Sequence, residues 1–465
     1  MDAVPIAVFW CAAAWALSRP PHVLLHMLFA SLPFGSLAVV PTAWTGGLTL
    51  VPTTVVALLL IVRQLGDARG AARALELALR PSAALLLCVF WVIAGIATLF
   101  MPRFFGGRVQ VVNMAVSRLM LLQPTPQNLS QFVYVSIAVL ATLAFADMLR
   151  ASAARQQALS ALCLGAAVMV VTGLLDHASQ YLPIDALLEP LRTANYALLT
   201  DDEVLESKRV VGLMPEASVF GTLTLGFLAA LYFLRRSMPD GPLRRRVVPV
   251  LMGLLLLLVW LSTSSAAYLG LGVLGVSALA QWCRRVGASG HDARLHRDLE
   301  RGVRTGAAGL LLLLFVVIAA PRLFDPVGRM LDTMLLQKSS SFSYEERSMW
   351  TRVSWQALLA THGLGVGLGG TRASNFAVAL ASNAGLAGAA FYFLFVLRCL
   401  GPRRTPRAGV EARTLRSAIR WAYLPAFCAS LTIGTTPDFG VFNAFLYGFS
   451  IALARPAPDR GACLG

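Results

Sequence analysis

The sequence predicts an all-α polytopic membrane protein with about 12–13 transmembrane helices and two long periplasmic loops. Three observations carry that prediction. Apolar runs close to the ~17–25 residues needed to cross a hydrocarbon core recur along the 465 residues. The chain is 57% hydrophobic and only 13% charged, where average soluble domains are ~25% charged. Its basic residues gather on alternate connections between the runs. A disordered chain, a secreted disulfide scaffold and a cytosolic enzyme are excluded.

The runs follow in order. Those at 4–17, 23–40 and 48–62 open the chain, with Arg19 behind the first. If that short first run does not cross, the total is twelve. Runs at 82–100, 131–149 and 157–175 follow, separated by a mildly hydrophobic connection at 101–130 (Pro102, Gly106, Gly107, Pro124, Pro126) expected to lie in the membrane interface. After the polar stretch 176–212 come 213–234, 247–261 and 264–282, the last two joined so tightly at Leu261–Ser264 that they must form a helical hairpin. Runs at 303–320, 377–397, 418–435 and 439–454 complete the set, with a second polar stretch, 321–376, before 377. Residues 1–465 thus form one membrane domain, with 176–212 and 321–376 as its long outer loops.

Charge fixes the orientation. The chain has 39 Lys and Arg against 23 Asp and Glu, a formal net charge of +16. Arg19 and the segments 63–80, 150–155, 235–246, 284–304, 398–420 and 455–460 hold 27 of the 39 basic residues. The alternate segments hold 12, balanced by 12 acids that include Asp176 and Asp438. Excess Lys and Arg mark the cytoplasmic side, so the basicity is topological and no nucleic acid is expected as partner. None of the seven cysteines falls in an outer loop, so no disulfide framework is implied. Met1–Leu17 lacks a basic leader, and no cleavable signal is expected.

Chemistry is expected at the ends of the two long loops. The first ends in Arg209-Val-Val-Gly212-Leu-Met-Pro215-Glu216-Ala-Ser218. Pro215 suits a first helical turn, which would put Glu216 near the positive end of the helix dipole. Glu216 then reads either as a favourable first-turn acid or as an acid/base group, and Arg209 as an interface anchor or an anion clamp. In the second loop, Ser343 with Glu346 three residues later predicts a capped helix from Tyr344 to about Thr361. On that helix Glu345 and Arg352 share a face while Arg347 points elsewhere. His362-Gly363-Leu-Gly365-Val-Gly367-Leu-Gly369-Gly370 follows, then Arg372, Ser374 and Asn375. No strand precedes these glycines, which argues against a dinucleotide fingerprint. They read as a flexible loop or as a close turn whose amides, with Arg372, cradle a phosphate. His362 and His177 read as interface side chains before bases. No metal-ligand spacing or nucleophile triad is present.

The order of these motifs resembles the bacterial O-antigen polymerase and O-antigen ligase superfamily of membrane glycosyltransferases. The resemblance runs through Arg-x-x-Gly-x-x-x-Glu-x-Ser at Arg209–Ser218, the hydroxyl-bearing hairpin at 262–265, the Gly-x-Gly-x-Gly turn, and Ser374-Asn375 before a span containing Gly385-Leu386-Ala387-Gly388. Arg352 precedes Gly363 with the spacing of an arginine, ten residues and a glycine. The likeness covers well under half the chain. Ser374 stands where ligases carry histidine, and Glu216 where they tend to carry asparagine; both favour the polymerase side. The family implies transfer of a growing glycan from an undecaprenyl-pyrophosphate carrier to a second lipid-linked unit, for O-antigen or exopolysaccharide, at the periplasmic face of the bacterial inner membrane. It implies Glu216, Arg209 and Arg352 as catalytic residues, with Glu216 the base. Arg372, Arg347, Gly363, Gly365, Gly367 and Asn375 would hold the pyrophosphate, with His362 a second candidate base. No cofactor and no metal is implied. The partners implied are the lipid-linked oligosaccharide, membrane lipids, and chain-length or export proteins. A ligase acting on lipid A-core and a flippase remain the alternatives.

Overall fold

The structure, a computed structural model, describes residues 3–41, 44–45, 48–114, 118–194, 198, 203–204, 207–288, 342–401 and 410–454. The chain is an all-α polytopic membrane protein. Its first helices are α1 (Ala3–Leu17), α2 (Pro21–Ser31), α3 (Pro52–Leu65), α4 (Ala68–Leu79) and α5 (Leu85–Phe104). A small antiparallel hairpin follows, β1 (Gln110–Val112) with β2 (Leu119–Leu121), then α6 (Pro126–Met148), α7 (Ser152–Ser179) and the one-turn α8 (Asp185–Leu188). Next come α9 (Ala217–Leu234), α10 (Val248–Leu261) and α11 (Ser265–Ala288). The last four described helices are α12 (Phe342–Ala360), α13 (Phe376–Leu400), α14 (Val410–Ile433) and α15 (Gly440–Leu453). Among the described residues, α5, α6, α7, α9, α11 and α13 are long and apolar enough to cross a membrane, while α1, α2, α3 and α15 are apolar but only 11 to 15 residues long. The run expected at 303–320, and the second long loop as far as residue 341, including Lys338, lie outside the described residues.

Two of the helices around the site start at side-chain caps. Thr125 and Asn128 form a capping box with Pro126 in the first turn of α6, and Asn375 accepts the Val378 N–H to cap α13. Packing is aromatic in bulk and tight at small residues. Phe29, Phe90, Phe145, Phe220, Phe227, Tyr392 and Tyr447 are fully buried. A Cβ on Gly448 of α15 would stand 2.8 Å from the Thr142 carbonyl of α6, so these two helices meet backbone to backbone.

Several expectations are corrected. The run 23–40 is helical only to Ser31; residues 32–41 are not helical, and α3 begins only at Pro52. This stretch stays inside the protein because its backbone is paired: Ser36 N–H donates to Leu213 O at 2.9 Å, and Ser36 O accepts from Ala194 N–H at 2.9 Å. Pro215 lies outside its helix, since α9 begins at Ala217 with Glu216 as its extended N-cap. Ser343 lies inside α12, so it is no cap. The connection 101–130 is more than an interfacial strip. Its β1 lies beneath α12, where Val109, Val111 and Leu122 bury against Ala357 and Val366, and Val112 against Trp350 and Val353. Finally, the run 377–397 is not one unbroken helix: α13 breaks at Gly385 (φ 77°, ψ 168°).

Candidate functional site

The break in α13 explains the glycine-rich turn. Without a regular helix through Gly385, Ser382 and Asn383 lose their intrahelical acceptor duty. The glycine turn supplies the partners: Val366 N–H donates to Ser382 O at 2.8 Å, Gly367 N–H to Asn383 O at 3.0 Å, and Leu386 N–H to Gly363 O at 2.8 Å. The turn is threaded between α5, α6 and α13, with Leu368 N–H on Thr98 Oγ1 at 3.2 Å and Asn128 Nδ2 on Leu368 O at 2.8 Å. Gly363, Gly365, Gly367 and Gly369 all have φ between 74° and 84°. A Cβ at Gly365 would lie 2.6 Å from Gly385 N, which no L-residue tolerates.

The phosphate cradle expected of these glycines is therefore corrected. The Gly363 amide is spent on Leu358 O at 2.9 Å, the Gly365 amide on Thr361 Oγ1 at 3.1 Å, and the Gly367 amide on Asn383 O. The turn braces a broken helix. His362 (φ 52°) is exposed at the end of α12 and does not line the cavity described next.

A cavity of about 630 Å³ lies between α12, the entry to α13 and the end of α14. From α12 it is lined by Tyr344, Arg347, Ser348, Thr351, Arg352 and Trp355; Ser374, Asn375 and Val378 form a second wall, and Leu431 and Thr432 a third. At ~100° per residue, Tyr344, Ser348, Thr351 and Trp355 make a central stripe with Arg347 and Arg352 on its two flanks. Long guanidinium stems let both flanks reach in, so the expectation that Arg347 points away from Arg352 does not hold. Asn375 spends its Oδ1 on the helix cap at 3.1 Å, and Thr351 Oγ1 accepts the Ser374 N–H at 3.1 Å, which fixes the second wall to the first.

Arg372 links this cavity to the other long loop. Its guanidinium stacks on Trp350, 4.2 Å from the ring centroid. Its backbone is clamped on both sides, the N–H to Val112 O at 3.1 Å and the carbonyl to Ser354 Oγ at 2.9 Å. Burial lowers its pKa from the ordinary guanidinium value; the Glu216 carboxylate opposes that shift, the Arg347 cation adds to it, and Glu346 opposes it. Glu216 and Arg347, 131 residues apart, thus lie within electrostatic reach of the same guanidinium. Glu216 also accepts a hydrogen bond from the Ser218 hydroxyl.

What holds Glu216 there was not foreseen. Asp176, at the end of α7, is fully buried and accepts the N–H groups of Val211 at 2.7 Å and Gly212 at 2.9 Å. Arg192 completes the clasp, with Nη2 2.6 Å from Asp176 Oδ1 and 3.0 Å from Gly212 O. The available signal was an acid closing an apolar run, where charge is expensive. Arg209 braces the α10–α11 turn, Nε on Thr263 Oγ1 at 3.0 Å and Nη2 on Thr263 O at 3.2 Å. Trp350, Trp355 and Tyr344 were also missed, because no spacing rule pairs an aromatic ring with an arginine 22 residues away.

Chemically, the arrangement offers carboxylates, Glu216 and Glu346, near fixed cations, next to a basic cavity with aromatic walls. That suits an anionic substrate with a polar group to be deprotonated. No protein-family model, curated protein or solved structure matches the chain.

Proposed function

We infer that this protein is a membrane glycosyltransferase that polymerises oligosaccharide units carried on undecaprenyl pyrophosphate, acting at the periplasmic face of the bacterial inner membrane. The observation that carries the reading is the cation set around one cavity: Arg347 and Arg352 line it, and Arg372, two residues before its Ser374 wall, lies within electrostatic reach of both Arg347 and Glu216. As the acceptor oxygen bonds to the anomeric carbon, the bond from that carbon to the carrier breaks and leaves the lipid pyrophosphate as an anion; fixed guanidinium groups in a poorly hydrated site stabilise the charge as it develops. Arg347 and Arg352 line the cavity that would hold that group, and Arg372 lies within electrostatic reach of Arg347. Trp355 and Tyr344 offer flat apolar surfaces to sugar rings. Glu216 takes the proton from the attacking hydroxyl, held in place by Ser218 and by the Asp176–Arg192 clasp. Arg209 supports the site from the α10–α11 turn. The polymerase reading is preferred to ligation onto lipid A-core because the acid is a glutamate and Ser374 replaces a histidine.

The test is elongation of purified lipid-linked repeat units by the reconstituted protein. Glu216→Gln should reduce turnover by ~10²–10⁴-fold with acceptor binding retained. Arg372→Lys should rescue poorly, since lysine loses both the planar stack on Trp350 and bidentate contact. Wild-type elongation by Glu216→Gln removes that residue from the mechanism. Transbilayer movement of the substrate without elongation by the wild-type protein makes it a carrier.

A further inference from the structure

A second cavity, of about 800 Å³, opens between the start of α2, the end of α3, α4 and the α6–α7 turn. It lies at the other end of the bundle from the arginine cavity. Gln127 at the start of α6 packs against Gly369, whereas Met148 at its end lines this second space. The 23 residues of α6 separate the two by roughly 34 Å. Nothing in the proposed transfer uses it.

Its charge is one-sided. Arg73, Arg150, Arg155 and His22 line it against a single carboxylate, Asp147. That carboxylate is buried and already engaged, accepting Gln64 Nε2 at 2.7 Å and Arg73 Nε at 2.9 Å, with Arg150 3.8 Å away. Arg155 donates to the Arg150 carbonyl at 3.2 Å and has no ion pair among the described residues. Three guanidinium groups against one carboxylate leave a surplus of positive charge in a partly desolvated space, which an anion relieves. Guanidinium forks match phosphate oxygens in particular.

The surroundings point to a lipid as the source. α4 spans only 12 residues: Arg73 lines the cavity, while Leu75 and Leu79 are exposed outside it, as are the charged Arg69 and Glu76. A short helix of that kind lies in the membrane interface, with its leucines in the acyl boundary. The cavity it walls is then at headgroup depth, on the face that carries the basic connections. We propose that this cavity binds the phosphate of an anionic phospholipid, with Arg150 and Arg155 on the phosphate and the Arg73–Asp147 pair fixing the wall.

The experiment is native mass spectrometry and lipid titration of the full chain in phosphatidylcholine nanodiscs containing phosphatidylglycerol. Wild type should retain phosphatidylglycerol, and Arg150→Gln/Arg155→Gln should weaken it by about 30-fold, near 5-fold for each arginine. Because Arg150 also faces Asp147, the single Arg155→Gln variant separates binding from folding and should lose about 5-fold on its own. Arg69→Gln, on the exposed side of α4 and outside the cavity, should leave retention unchanged. Equal loss in Arg69→Gln, or no loss in Arg155→Gln, overturns the proposal. Inorganic phosphate should displace the lipid only weakly. If it binds the detergent-solubilised protein while phosphatidylglycerol is not retained, the ligand is a soluble anion and the lipid assignment fails.

Discussion

Arg192→Met tests the clasp that positions the Arg209–Ser218 segment. Met keeps the apolar stem and removes the cation that pairs with Asp176, whose side chain is 0% exposed while that of Arg192 is 11% exposed. Removing one partner of a buried pair leaves an uncompensated charge and costs ~3–5 kcal/mol. Part of this is held back by the two amides of Val211 and Gly212, which remain on the carboxylate at 2.7 and 2.9 Å. Even 3 kcal/mol raises the open population of the segment by ~10²-fold. Native-state trypsin cleavage after Lys208 and Arg209, followed by mass spectrometry, reads that population directly. Asp176→Asn/Arg192→Met removes both charges, and Asn can still accept one amide. The double variant should therefore cost at least ~1 kcal/mol less than the two single changes added together. Unchanged cleavage in Arg192→Met, or strictly additive costs, would refute the clasp as the element that holds Glu216 in place.

Two other outcomes are expected. Gly365→Ala and Gly107→Ala both force alanine to a positive φ (80° and 71°), but only the first meets neighbours, with Gly385 N at 2.6 Å against nothing within 4 Å. Gly107→Ala should cost ~1–2 kcal/mol and Gly365→Ala ~1–3 kcal/mol more; equal shifts in thermal unfolding in detergent would mean the threaded turn is not tightly packed. Asp438, in the α14–α15 connection, has its pKa raised by burial, with the Gly440 N–H at 2.9 Å pulling the other way. A raised folded pKa means that the folded state holds the proton more tightly, so stability falls as pH rises from the ordinary carboxylate value through the raised one. Asp438→Asn should flatten that slope and be the more stable form above it, and parallel pH profiles for the two proteins would rule the effect out.

The sequence determined the fold class, the alternation of the chain between two ends, and the residues in which polar chemistry concentrates. Those features follow from composition and local periodicity: a ~20-residue apolar run has few uses other than crossing a bilayer, and charge sorting needs no tertiary contact. The tight Leu261–Ser264 hairpin was legible for the same reason. What only the tertiary structure decided is which polar groups meet. Arg347 and Arg352 share a cavity because long side chains on the flanks of one stripe reach around it, which face-counting on Cα positions misses. The glycines turned from anion ligands into braces because their partners are the Ser382 and Asn383 carbonyls, freed by a break at Gly385 that a hydropathy run conceals. The non-helical stretch after Ser31, Asp176 with Arg192, and Trp350 beneath Arg372 depend on residues 16 to 177 positions apart in sequence. A buried backbone amide or charge must find a partner, but the sequence does not say which of many distant groups will supply it.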